Sequence, residues 1–147
     1  MPLLPELSDE AVAFDAVAAD WRAAVRLAGA GLVRAGAATE LYTERMIAVV
    51  DDFGPYIVVA PGLALAHARP GKDVRADGLS LVTLAEPVSF GHPHNDPVEI
   101  VIGLTSATND AHVTNVAALA NLFNDPAVFP ALRAATTPDE ARAVFRD

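Results

Sequence analysis

Residues 57–70, IVVAPGLALAHARP, join three unlike pieces. The β-branched run that begins at Tyr56 reads as a buried strand. Pro61 and Gly62 break it, and a run of small residues follows, carrying His67 and Arg69. The carboxyl end of a strand is where an α/β sheet presents a site to ligands, so this stretch bears on both fold and chemistry. A neutral imidazole is a competent nucleophile near neutral pH, its ordinary pKa being about 6.5. A guanidinium is permanently charged and matches phosphate oxygens in a fork. If residues 67–70 are extended, the His67 and Arg69 side chains share one face. A solvated loop arginine accounts for Arg69 equally well on these grounds.

Upstream, Val12, Phe14 and Ala16 alternate in a short strand. Asp20 is placed to cap a helix with Trp21, Val25, Ala28 and Leu32 on one face, closed near Gly36. Thr39 and Glu40 open a second helix, with Tyr42, Met46, Val49 and Phe53 as its stripe. Downstream, residues 78–84 and 99–104 read as strands, the latter the most apolar and therefore central. Residues 109–123 read as a helix with Val113, Val116, Ala117 and Ala120 on one face. Shorter helices follow at 127–134 and 138–145, with Thr137 as cap and Pro138 in the first turn. The order β-α-α-β-β-β-α-α-α predicts an α/β fold with helices on both faces of a mixed sheet.

The chain has 147 residues, 52% of them hydrophobic, which suits one domain spanning 1–147. No apolar run approaches the ~18 residues of a membrane span, and the start lacks a basic n-region. A cytoplasmic location is therefore expected. The absence of cysteine excludes disulfides, thiolate metal sites and cysteine nucleophiles within the chain. The net charge of −9 argues against nucleic-acid binding but can steer a basic protein partner.

Three more histidines need placing. His92 and His94, in FGHPHNDPV, have H-x-H-x-D spacing that resembles a metal site. Two prolines make this a stiff turn, and Asn95 and Asp96 suit turn formation better than ligation. His112 begins a helix, where amides and the dipole favour an anion that His67 could share.

Four blocks in register carry a family resemblance: LALAHA (63–68), FGHPHNDPVEIVIGL (90–104), the helical block from Asn109 to Phe145, and LVRAGAATELYTERM (32–46). Together they resemble the enzyme IIA domains (EIIA, type 2) of the bacterial sugar phosphotransferase system (PTS), of the mannitol–fructose superfamily. GPYIVVAPGLALAHARP points to the ascorbate-type branch. The resemblance implies a three-layer α/β/α sandwich. It implies that His67 accepts a phosphoryl group from the carrier protein HPr and that His112 is the second active-site histidine. The group would then pass to a cysteine of a IIB protein or domain, serving a membrane IIC, with an ascorbate-like or pentitol-like sugar as the expected substrate. No metal or organic cofactor is implied. The chain departs from the family at Ala66, where many relatives have proline. It departs again at Asp51 and Asp52, where mannitol and fructose relatives carry an arginine late in the helix, which leaves Arg69 as the nearest cationic substitute. The alternatives are a regulatory module signalling through the same histidine, and a metal-dependent hydrolase built on His67, His92, His94 and His112.

Overall fold

In the LALAHA run, leucine and histidine alternate with alanine, and this period of two is the mark of a strand. The computed structural model, which describes residues 4–146, makes Leu63–His67 a strand in its own right. The strands are β1 (Val12–Ala16), β2 (Val58–Ala60), β3 (Leu63–His67), β4 (Gly78–Val88) and β5 (Val98–Thr105). The helices are α1 (Trp21–Arg34), α2 (Glu40–Phe53), α3 (Asn109–Phe123), α4 (Val128–Ala134) and α5 (Pro138–Arg146), with a short 3-10 turn at Asp9–Ala11. One strand more is present than the sequence order suggests. The Pro61-Gly62 break is the turn of an antiparallel β2–β3 hairpin, with Gly62 at φ 77° where a side chain would be strained.

The sheet order is β1-β4-β5-β3-β2. β5 is central, as its apolar run predicts. It pairs parallel with β3 and antiparallel with β4, and β1 lies parallel to β4. β2 is an edge strand with Val59 exposed, not the buried strand that its composition suggests. β1 departs from simple alternation. Asp15 adopts φ 50° at a bulge, so Val12 and Phe14 pack on one face of the sheet and Ala16 on the other.

Two apolar layers sandwich the sheet. On one side Ala64, Ala66, Val82 and Val101 meet Ala24, Val25, Ala28 and Leu32 of α1 and Tyr42, Met46, Ile47 and Val50 of α2. On the other, Leu63, Leu65, Leu81, Ile100, Ile102 and Leu104 meet Leu119, Val128, Leu132 and Ala141 of α3–α5. This is the three-layer α/β/α arrangement. The alanines of β3 face α1 and α2, and its leucines face the other helices. His67 continues the leucine row and so points toward α3.

Several caps fall where the sequence places them. The Asp20 carboxylate accepts the Ala23 N–H at 2.9 Å, and the Thr137 hydroxyl accepts the Glu140 N–H at 3.2 Å. Thr39 precedes α2 without a side-chain cap, its own N–H donating to the Asp73 carbonyl at 2.8 Å. Two helical stripes are rotated from expectation. In α2 the buried residues are Tyr42, Thr43, Met46, Ile47 and Val50, while Phe53 is exposed. In α3 they are Asn115, Ala118 and Leu119, and Val113 is exposed. The inward face of α3 begins with polar residues, which apolar periodicity cannot detect. Asn115 is buried because its amide donates to the Ser106 hydroxyl at 3.1 Å.

Candidate functional site

Parallel pairing sets the site. β3 and β5 end at the same edge of the sheet, with His67 opposite Leu104. β5 stops one residue later at Thr105, and Ser106–Thr108 lead directly into α3. Thr108 caps that helix, its hydroxyl accepting the Ala111 N–H at 3.1 Å and its carbonyl the His112 N–H at 3.0 Å. The first turn of α3 thus carries His112 over the end of β3. The ring centres of His67 and His112 lie 5.4 Å apart, tilted by 36°. Arg69 lines the same groove, together with Arg45, Phe53 and Tyr56. The three residues singled out in the sequence are therefore brought together.

The tautomer of His67 is fixed by the chain itself. Its Nδ1 lies 2.8 Å from the Leu65 carbonyl, which can only accept, so Nδ1 carries the proton. The Nε2 lone pair is then free, and Nε2 has no hydrogen-bond partner among the described residues. Burial holds the His67 pKa below its ordinary value and the neighbouring His112 adds to this, against the opposing effect of the Leu65 carbonyl. The ring is accordingly neutral and nucleophilic near pH 7. Burial also lowers the pKa of His112, with the Arg69 charge contributing. The His112 Nδ1 is buried and has no partner among the described residues. A neutral imidazole with an unengaged nitrogen can donate one hydrogen bond to an incoming anion.

Behind the histidines, α2 supplies two residues that the sequence did not reveal. The Tyr42 hydroxyl, fully buried, donates to the Leu104 carbonyl at 2.6 Å and accepts the Ala68 N–H at 2.9 Å. It pins the carboxyl ends of β3 and β5 together. Burial pushes its pKa up to about 12. One turn on, Arg45 grips Asp73 with two nitrogens and donates to the Arg69 carbonyl at 2.7 Å. Asp51 pairs with Arg22 of α1, and neither Asp51 nor Asp52 lines the groove.

His92 and His94 lie elsewhere. Their loop precedes β5, so it sits at the amino ends of β3 and β5, roughly 16 Å from His67 at about 3.3 Å per strand residue. The Asn95 carbonyl there accepts the Gly62 N–H at 2.9 Å. The His92 Nδ1 accepts the N–H groups of His94 and Asn95 at 3.1 and 3.0 Å. Asp96 gathers the N–H groups of Phe90, Gly91 and His92 and the Ser89 hydroxyl. Burial would raise the Asp96 pKa, but these donors outweigh it and hold the carboxyl below its ordinary value. The loop is a self-bonded turn, and the four histidines do not converge as a hydrolase would need. Among the described residues no three His, Cys, Asp or Glu form a metal-binding group.

A histidine at the end of parallel strands, a second histidine on the following helix and Arg69 thus meet in one groove. The family model described as "Phosphoenolpyruvate-dependent sugar phosphotransferase system, EIIA 2" matches residues 6–147. The chain belongs to this EIIA family. The ascorbate-specific PTS system EIIA component of Escherichia coli K12 is 38% identical to it over 133 residues, 90% of this chain and 86% of the relative. The same component of Salmonella typhimurium matches to the same extent. Among solved structures, the mannitol-specific cryptic phosphotransferase enzyme IIA CmtB of E. coli is 26% identical, with a TM-score of 0.82 over 99% of this chain and 98% of its own. The E. coli complex of enzyme IIAMTL with phosphorylated enzyme IIBMTL shares the fold, with a TM-score of 0.84, 24% identity and coverage of 96% and 97%. This EIIA has no helix, among its described residues, long and apolar enough to cross a membrane.

Proposed function

We propose that this EIIA is a phosphocarrier in which His67 Nε2 accepts a phosphoryl group from phospho-HPr and passes it to a cysteine of a IIB partner. The observation that carries the reading is the Nδ1–Leu65 hydrogen bond, which leaves Nε2 as the open nucleophile in a groove shared with His112 and Arg69. In the first step the Nε2 lone pair forms an N–P bond while the donor's N–P bond breaks, and the donor imidazole leaves with that electron pair. The proton on Nδ1 stays in place, and the Leu65 carbonyl stabilises the positive charge that the ring acquires. In the second step a IIB thiolate forms an S–P bond, and the N–P pair returns to Nε2. His112 donates through a ring nitrogen and Arg69 supplies a fixed charge, so that phosphoryl oxygens meet donors as charge develops.

The ascorbate-specific relatives support an ascorbate-like sugar, with a pentitol-like one as the alternative; that sugar is the final phosphoryl acceptor, carried by a membrane IIC. The solved complex of a related fold with phosphorylated IIB supports IIB as acceptor. The test is incubation with phosphoenolpyruvate, enzyme I and HPr, followed by intact mass. The chain should gain one phosphoryl group, discharge it on addition of IIB, and gain none as His67→Ala. A phosphorylated His67→Ala chain overturns the assignment.

A further inference from the structure

We propose that Arg45 is a positioning residue for Arg69: clamped by the buried carboxylate of Asp73, it holds the Arg69 main chain so that the Arg69 side chain is presented to the groove beside His112. The proposal deepens the phosphocarrier reading and rests on it only in its kinetic arm.

Three contacts immobilise the Arg45 guanidinium. Nε meets Asp73 Oδ2 at 2.6 Å, Nη2 meets Asp73 Oδ1 at 2.7 Å, and Nη2 also donates to the Arg69 carbonyl at 2.7 Å. The Asp73 side chain is only 3% exposed, so its charge is engaged with Arg45 and not with solvent. The Arg45 guanidinium lies 5.4 Å from the centre of the Tyr42 ring. The chain wraps closely around it. A Cβ at Gly71 would lie 2.8 Å from Nη2 and 3.3 Å from Cζ, so a side chain at that position would push the guanidinium aside.

The consequence falls on Arg69, which is bracketed by two anchored peptides. The Ala68 N–H before it is held by Tyr42, and its own carbonyl is held by Arg45. Tyr42 and Arg45 stand three residues apart on α2, on neighbouring positions of one face. The Asp73 carbonyl, in turn, holds the Thr39 N–H at the start of that helix. Residues 69–73 are thus strapped to α2 at two points. Arg69 itself is exposed and makes no ion pair among the described residues. The two arginines divide the work: one is neutralised and fixed, and the other is free to meet an anion. Anchoring the 67–68 peptide at one end and the Arg69 carbonyl at the other restricts the direction of the Arg69 Cα–Cβ bond without touching its guanidinium.

The test reads the position of Arg69 through His112, whose pKa the Arg69 charge lowers and whose groove is also lined by His67, Arg45 and Tyr56. The His112 ring is titrated by NMR in wild type, Arg69→Ala, Arg45→Met and the double variant, with no partner protein. The expected result is that Arg69→Ala raises the His112 pKa, that Arg45→Met raises it similarly, and that the double variant goes no further than Arg69→Ala. Single-turnover transfer from phospho-HPr should fall on the order of tenfold or more for Arg45→Met, since a misplacement of about 1 Å can cost 10²-fold. In an Arg69→Ala background the same change should cost less than about twofold, because a residue acting through another adds nothing once that other is gone. Arg45→Lys, which keeps the charge but loses the fork, should not restore the rate. Gly71→Ala, which crowds the guanidinium in an intact side-chain network, should move the His112 pKa in the same direction and serves if Arg45→Met does not fold. A His112 pKa unmoved by either Arg45→Met or Gly71→Ala, or additive losses in the double variant, overturns the proposal. Failure of the wild-type chain to accept phosphate would sink the phosphocarrier reading and leave the titration to decide the role of Arg45.

Discussion

Leu65 holds the Nδ1 proton of His67 from two residues back along the same strand, at 2.8 Å. One segment therefore carries the histidine and also selects its tautomer. Nitrogen NMR of the free protein should show His67 with Nδ1 protonated and Nε2 bare, and the phosphorylated form should carry its N–P bond at Nε2. A phosphoryl group found on Nδ1 would contradict the geometry.

The pKa of His67 is lowered by burial and by His112. Phosphoryl acceptance should therefore persist as pH falls to 6.5 and decline only below it, because the neutral ring survives to lower pH than a free imidazole. The same shift affects stability. The unfolded chain takes up a proton near its ordinary value, about 6.5, before the folded one does, so this group lowers stability as pH falls from there toward the folded value. A pH–rate profile with its acid midpoint at or above 6.5 would count against this account.

His112→Ala and Arg69→Ala should each fold and slow phosphoryl transfer by roughly 10²–10³, the usual loss for a donor acting mainly in the transition state. Phosphate should still appear only on His67. Rapid-quench rates within about twofold of wild type for both would show that neither group meets the phosphoryl oxygens.

Tyr42→Phe removes one oxygen and leaves the buried Ala68 N–H and Leu104 carbonyl without it. Unsatisfied groups of this kind cost about 1–3 kcal/mol, to be read from urea denaturation. Transfer should slow as well, because the peptide after His67 loses its anchor. Unchanged stability would mean that the backbone finds other partners there.

At the far end of the sheet, Asp96→Asn should destabilise the fold while leaving transfer near wild type. The folded carboxyl titrates below its ordinary value of 3.8. Its contribution is complete above that value and is lost as pH falls through the depressed one. Wild type and Asp96→Asn should therefore converge in stability in acid, as thermal melts across pH would show.

The pieces of the fold that the sequence exposes are those governed by apolar pattern. The central place of β5 and the buried stripe of α1 follow from composition and period alone. β3 is hard to read from the sequence because alanine is a weak strand former, although the alternation in LALAHA is itself a signal and also shows that His67 faces with the leucines. The α3 stripe does not follow apolar period because polar residues face inward, with Asn115 satisfied by Ser106. The family pattern points to His67 and His112, and Arg69 stands out only as the nearest cation; the fold brings all three to one groove. Arg45 was not, because its importance depends on a carboxylate 28 residues away and on a main-chain carbonyl, and neither leaves a local trace.

The histidine-rich turn before β5 lies at the opposite end of the strands from the groove, held by its own hydrogen bonds. The chain has no cysteine, and His94 is exposed. His94→Cys would thus offer a unique attachment point for a fluorescent reporter, remote enough from the groove to test the proposed encounters with HPr or IIB by anisotropy while the groove stays chemically untouched.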